Sequence, residues 1–155
     1  MEEFREREKR KKKATEVGTY SVPFNLLEIE NNINITTINK LSKKELNKKA
    51  SKLYKQGNFI EAAKYYKYII DQGSKEHNVF YNFGITLKKL NKPEEALIYL
   101  NQAIKIKGDY AKYYSSLGEI LKDLGKLKKA EIIIRKSLRL NPQNYNDHRN
   151  LGSIL

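Results

Sequence analysis

The fold is decided by three consecutive stretches of equal length: residues 43–76 (KKELNKKASKLYKQGNFIEAAKYYKYIIDQGSKE), 77–110 (HNVFYNFGITLKKLNKPEEALIYLNQAIKIKGDY) and 111–144 (AKYYSSLGEILKDLGKLKKAEIIIRKSLRLNPQN). Matching residue types recur every 34 positions, and a partial fourth copy begins at residue 145. A fixed period of this length indicates stacked structural repeats, in which each repeat contacts mainly its neighbours.

Capping signals indicate that each repeat is a helix, a turn and a second helix. Ser42 and Glu45 have the spacing of a capping box, which predicts a helix from Lys43 to about Gly57. Pro93 lies at the start of a later helix, where its missing N–H costs nothing. The helix stops recur with the period: Gly57, Asn91 and Gly125 after the first helices, and Gly73, Gly108 and Asn141–Pro142 after the second. We therefore predict six helices and a seventh near Tyr145.

The packing positions have similar residue types in every copy of the repeat. Small residues occupy position eight (Ala50, Gly84, Gly118, Gly152), position 20 (Ala62, Ala96, Ala130) and, less strictly, position 27 (Ile69, Ala103, Ser137). Large apolar residues occupy position 11 (Leu53, Leu87, Leu121, Leu155) and position 24 (Tyr66, Leu100, Ile134). Small residues allow close approach of two helices, and large ones fill the gaps between them.

This pattern resembles the tetratricopeptide repeat. The resemblance implies an all-α fold, a right-handed superhelical array of antiparallel helix-turn-helix hairpins over residues 42–155. Ile69 is oversized for its position, as expected of a terminal repeat. We expect the helix from residue 145 to close the array: Leu151, Ile154 and Leu155 would pack back, while Asn146, Arg149, Asn150 and Ser153 would face outward. The alternative is that further sequence follows Leu155.

Residues 1–41 are predicted to be a disordered tail and linker, because charged residues dominate the start and no apolar stripe follows. Residues 24–29 (FNLLEI) are the one apolar cluster before the repeats. They could pack on the first hairpin or serve as a short docking segment, and the sequence does not decide between these. Without cysteines, an apolar run of roughly 18 residues or a secretory signal, we expect a cytoplasmic protein with no membrane insertion.

The chain carries a net charge of +13, and nearly all of it lies in the repeats. Such a charge is compatible with binding of nucleic acid or an anionic surface. However, the lysines are spread over both helices of each repeat and are not gathered on one face, and the overall bias toward Lys, Asn and Ile is compositional. We therefore do not expect nucleic acid as the main partner.

The sequence offers little for catalysis or cofactor binding. His77 and His148 are far apart and belong to no motif, and His148 is predicted to lie at the edge of the core. There is no set of ligands with metal-binding spacing and no glycine-rich phosphate loop. We predict a non-enzyme without metal or cofactor, although the repeats could be the recognition arm of a larger transferase.

The resemblance implies a concave groove lined by the first helix of each repeat, binding an extended peptide or a partner helix. The residues assigned to it are Asn47, Ser51, Tyr54, Asn78, Tyr81, Asn82, Ile85, Lys88, Lys112, Ser115, Glu119 and Lys122. Because cations outnumber carboxylates there and Tyr is a good anchor, we predict an acidic or polar peptide. The groove tyrosines and lysines could also be merely compositional.

Family members that hold the C-terminal carboxylate of heat-shock chaperones use a set of Lys, Asn and Arg at five positions. The corresponding residues here are Asn47, Ser51, Asn82, Lys112 and Ser116. Only Asn82 and Lys112 match, so two cations of that site are missing. On this basis the sequence does not predict binding of a chaperone tail.

Overall fold

A computed structural model of the protein describes residues 41–155, and these form seven α-helices without β-strands. The helices are α1 (Lys43–Lys55), α2 (Phe59–Asp71), α3 (His77–Lys89), α4 (Pro93–Ile106), α5 (Ala111–Asp123), α6 (Leu127–Leu140) and α7 (Tyr145–Gly152). The predictions for residues 1–40, including the segment 24–29, lie outside the described residues. None of the helices in the described part is long and apolar enough to span a bilayer.

The helix ends lie where the capping signals predict them. Ser42 Oγ accepts a hydrogen bond from the backbone N–H of Glu45, and the Glu45 carboxylate accepts one from the backbone N–H of Ser42, which completes the capping box. The residue after the C-cap of each first helix has a positive φ: 79° at Gly57, 59° at Asn91 and 69° at Gly125. This left-handed turn lets the chain reverse into the second helix.

Successive helices pack against each other, most extensively within the hairpins α1–α2, α3–α4 and α5–α6. The core lies where the repeat pattern predicts it. Its central residues are fully buried. All are 0% exposed: Ala50, Ala62, Ala96, Leu100, Ala103, Ala130, Ile134 and Ser137. Small and large residues alternate across each contact, so the hairpins approach closely without steric overlap. This confirms the predicted all-α array of antiparallel hairpins.

Several predictions for helix α7 are wrong. Asn150, predicted to face outward, is buried, whereas Leu155 is 79% exposed. Gly152 has open space where the equivalent glycines of the other repeats meet a second helix. His148 is exposed and its Nε2–H donates a hydrogen bond to the carbonyl oxygen of Pro142, so it does not lie at the core edge. The most extensive contacts of α7 within residues 41–155 are with α6.

Polar hydrogen bonds help to hold α7 against the third repeat. Asp147 is fully buried, and its carboxylate accepts hydrogen bonds from Ser115 Oγ at 2.6 Å and Asn144 Nδ2 at 2.7 Å. Asn150 Oδ1 accepts a third bond from Lys122 Nζ at 2.8 Å. A carboxylate is an acceptor only, so two convergent donors satisfy it well. Two side chains assigned to the groove, Ser115 and Lys122, are thus occupied by α7.

We expect Asp147→Ala to loosen α7, because Ser115 and Asn144 would be left without their acceptor at a cost of about 1–3 kcal/mol. Amide hydrogen exchange should show protection in α7 falling by about tenfold or more. Asn146→Ala, an exposed change on the same helix, is the control and should leave the exchange unaltered. Equal protection in the Asp147 and Asn146 variants would contradict this role for Asp147.

Candidate peptide-binding groove

A pocket of about 410 Å³ lies between the first and second hairpins, on the face where the groove was predicted. It is lined by Ser51, Tyr54, Lys55, Tyr66, Tyr81, Asn82 and Ile85. Five of these side chains belong to the predicted set. The structure therefore brings Ser51, Tyr54, Tyr81, Asn82 and Ile85 together around one space, with apolar rings and polar atoms both facing it.

Hydrogen bonds fix the walls of this pocket. Ser51 Oγ and the Tyr66 hydroxyl are 3.1 Å apart, which links α1 to α2. The Tyr81 hydroxyl and Ser116 Oγ are 3.2 Å apart, which links the second repeat to the third. Burial raises the pKa of Tyr66 above its ordinary value, so its hydroxyl keeps its proton at neutral pH. Tyr66 thus presents a neutral hydroxyl that is held in place by Ser51.

Lys88 is paired within the protein. Its ammonium lies 2.7 Å from Glu119 Oε1 and 3.7 Å from Asp123 Oδ2, both on α5. The bond crosses from the second repeat to the third and neutralises a cation that the sequence assigned to ligand binding. The positive charge of the groove is therefore smaller than the residue count indicates, and Lys88 is a poor position at which to test binding.

Lys112 lies over a cluster of aromatic rings. Its ammonium is 4.9 Å from the ring centre of Tyr81, 5.6 Å from that of Tyr113 and 5.8 Å from that of Tyr110. Tyr113 stacks on both other rings, at centroid distances of 4.7 and 5.1 Å. Such cation–π contacts attract and orient an ammonium group without neutralising it. Lys112 thus remains an exposed positive charge at one end of the groove.

The middle ring of the cluster is held by a histidine. The Tyr113 hydroxyl lies 2.6 Å from His77 Nδ1, across the junction between repeats. Burial, the largest cause, raises the pKa of Tyr113 to about 12, so the phenol is protonated at neutral pH. His77, which matched no catalytic motif, therefore has a structural partner that positions the aromatic cluster.

Two predicted groove residues present acceptor atoms without partners. Asn47 Oδ1 and Asn78 Oδ1 are buried, and neither has a hydrogen-bond partner among the residues that the structure describes. Buried polar atoms are paired in the large majority of cases, so each such atom calls for an explanation. Both asparagines lie on first helices, α1 and α3, where the groove was predicted.

Sequence reasoning missed Tyr66, His77, Tyr110 and Tyr113 as residues of this face. Tyr66 comes from a second helix and had been assigned to packing alone. The three-residue spacing of Tyr110 and Tyr113 at the start of α5 was the available signal for the ring cluster. No group of three or more acidic, His or Cys side chains that could hold a metal is present in residues 41–155.

The comparisons with known proteins agree with this architecture. The family model described as tetratricopeptide repeat matches residues 77–110 and 111–144. A Hsp70-Hsp90 organising protein of Plasmodium falciparum is 29% identical over 107 residues, which cover 69% of this chain and 42% of the relative. A second such protein, from isolate 3D7, is matched over only 19% of its length. The chain thus spans less than half of these curated relatives.

Two solved structures are similar in fold and in sequence. The first tetratricopeptide domain of Spaghetti (RPAP3), bound to the HSP90 peptide SRMEEVD, is 28% identical with a TM-score of 0.69, over 72% of this chain and 89% of that one. The second such domain of human RPAP3, in complex with the HSP70 peptide SGPTIEEVD, is 27% identical with a TM-score of 0.66, over 73% and 92%. Together with the helical hairpins described above, the family match and these likenesses identify residues 77–144 as tetratricopeptide repeats.

Proposed function

We propose that the protein is a non-catalytic interaction module that binds an extended acidic peptide in its concave groove. The observation that carries the proposal is the pocket of about 410 Å³ between the first two hairpins, lined by the rings of Tyr54 and Tyr81 with Lys55 beside them. Asn47 Oδ1 and Asn78 Oδ1 are themselves buried, so an extended peptide would meet the aromatic and polar lining of this pocket instead. Tyr54 and Tyr81 offer ring surface for an apolar side chain of the same peptide.

The charge of the groove supports an acidic ligand. Lys55 lines the pocket, and Lys112 stands at its other end over the aromatic rings. Neither ammonium has a carboxylate within ion-pair distance among the described residues, in contrast to Lys88. Carboxylates of a ligand can therefore pair with these cations without displacing an internal partner.

A peptide with a C-terminal carboxylate is a second candidate, favoured by the two similar structures that hold such chaperone peptides. These comparisons do not support our sequence-based prediction against a chaperone tail. The residues at the five corresponding positions differ from a dedicated carboxylate site, since Ser51 and Ser116 are bonded to Tyr66 and Tyr81. The acidic side chains of the peptide are the better match to the groove.

The test is a fluorescence-anisotropy titration of the whole chain with labelled SRMEEVD. We expect binding that Tyr81→Ala combined with Lys112→Glu weakens at least tenfold, because the change removes the ring surface and reverses the exposed charge. The matched control combines Tyr145→Ala with Lys105→Glu, which alters the same residue types at exposed positions away from the groove. Undetectable binding to the unaltered chain, or equal losses in both variants, would overturn the proposal.

The amidated form of the peptide distinguishes the two candidates. If acidic side chains carry the interaction, the free acid and the amide should bind within about threefold of each other. A preference of tenfold or more for the free acid, about 1.4 kcal/mol, would instead establish recognition of the terminal carboxylate. Titration at low and moderate salt with an unrelated RNA oligonucleotide checks for nonspecific anion binding by the basic repeats.

A further inference from the structure

A second cleft, called the outer cleft below, shares no lining residue with the groove pocket. It has a volume of about 350 Å³ and lies among α4, α5 and α6. The residues lining this outer cleft are Leu97, Asn101, Leu117, Leu121, Lys126, Lys129, Ile132 and Ile133. Leu117 and Leu121 are the core-facing positions of α5, so the floor of the cleft is the apolar core itself.

Large apolar side chains stand exposed at this face. Ile132, on the wall of the cleft, is 65% exposed, and Ile98, next to Leu97 in α4, is 60% exposed. The two isoleucines are 34 residues apart and hold the same position in neighbouring repeats, so they lie on the same face of the array. A single exposed isoleucine is ordinary, whereas a pair beside an apolar cleft marks an interaction surface.

The rim of the outer cleft is cationic. Lys126 and Lys129 line it, and neither ammonium forms an ion pair or hydrogen bond within residues 41–155. Glu131, the one acidic residue of α6, is already bonded to Arg135 at 2.8 Å. The cleft therefore combines an apolar floor with two positive charges that have no internal partner.

We propose that the outer cleft binds an acidic amphipathic segment of a partner protein, with a leucine-like side chain on the floor and carboxylates paired with Lys126 and Lys129. Charge complementarity selects this occupant. A second copy of the chain would bring another strongly basic repeat region to the same rim, because most of the net charge of +13 lies there. The outer cleft is separate from the groove, so the two surfaces can be tested independently.

The experiment uses the whole chain with labelled isoleucine methyl groups, titrated with the peptide EELLEELLEE and observed by NMR. Ile132 and Ile133 report on the outer cleft, and Ile85 reports on the groove pocket. We expect the signals of Ile132 and Ile133 to shift. The shifts should persist in the Tyr81→Ala/Lys112→Glu variant, because that change lies in the groove.

Two variants test the chemistry. Ile132→Asp should weaken the peptide at least tenfold while the melting temperature is unchanged, since the side chain is exposed. The double variant Lys126→Glu/Lys129→Glu should no longer bind EELLEELLEE. It should instead bind the charge-inverted peptide KKLLKKLLKK. The matched control is Lys105→Glu, which alters one exposed charge on α4 outside the lining of the cleft.

Three outcomes would overturn the inference. The first is a shift of Ile85 alone, which would leave the proposed groove function standing. The second is the absence of any shift at Ile85, Ile132 and Ile133. The third is a shift of these two signals with protein concentration alone, accompanied by dimer in sedimentation, which would make a second copy the occupant.

Discussion

Leu100→Ala should lower the free energy of unfolding by about 2–5 kcal/mol. Leu100 is 0% exposed on α4 and occupies the large-residue position of the second repeat. Its Cγ lies 3.0 Å from the place where a Cβ at Gly84 would stand, so Leu100 fills the space that the glycine of α3 leaves open. Removing it creates a cavity between the two helices of the hairpin. Urea unfolding followed by circular dichroism measures the loss.

Ile98→Ala is the control for this prediction, because Ile98 lies two residues away on the same helix and is 60% exposed. The loss there should be within about 0.5 kcal/mol. If Leu100→Ala and Ile98→Ala cost the same, the contact between α3 and α4 would not depend on this side chain.

Gly118→Val should lower the free energy of unfolding by about 3 kcal/mol, at the upper end of the usual cost of overpacking. A Cβ at Gly118 would lie 2.5 Å from Ile134 Cγ1, and Ile134 is fully buried and cannot move aside. Helices α5 and α6 therefore come so close at Gly118 that this repeat position requires a residue without a side chain. Thermal and urea unfolding of the variant measure the change.

Two further variants test this explanation, one as a control and one as a compensating change. Gly152→Val alters the equivalent position in α7, where no atom lies within 4 Å, and should cost little. Combining Gly118→Val with Ile134→Ala conserves the summed side-chain volume, so the double variant should lose less than the sum of the single losses. Strict additivity would contradict a direct clash between the two positions.

The sequence predicts most of the fold because the period places each residue type in a known packing role. The positive φ at Asn91, for example, follows from its alignment with Gly57 and Gly125. The prediction weakens at α7, where Gly152 and Leu155 have the residue types of the repeat but are not buried among residues 41–155. A local sequence pattern indicates which residues can pack against another helix. Whether such a residue is buried depends on which helix lies beside it.

The site is less predictable than the fold. Periodicity indicates which face of a helix meets the groove, and Tyr54, Tyr81 and Ile85 do line a common pocket. It does not indicate which side chains bond across repeats. The partners of Lys88 and Ser115 lie about one repeat further along the chain, and their pairing depends on the stagger between hairpins.

The polar bonds along the groove have a mechanical consequence. Tyr81–Ser116 and Lys88–Glu119 both join neighbouring repeats on the inner side, so they act as ties that resist the opening of the curved array. A ligand that competes for the Tyr81 hydroxyl would weaken its hydrogen bond to Ser116 and make the array easier to bend. Stretching or flattening the array, in turn, changes the spacing of the ligand's contacts. Peptide binding in the proposed groove should therefore change the bending stiffness of the array, and a force that bends the array should change the affinity for the peptide.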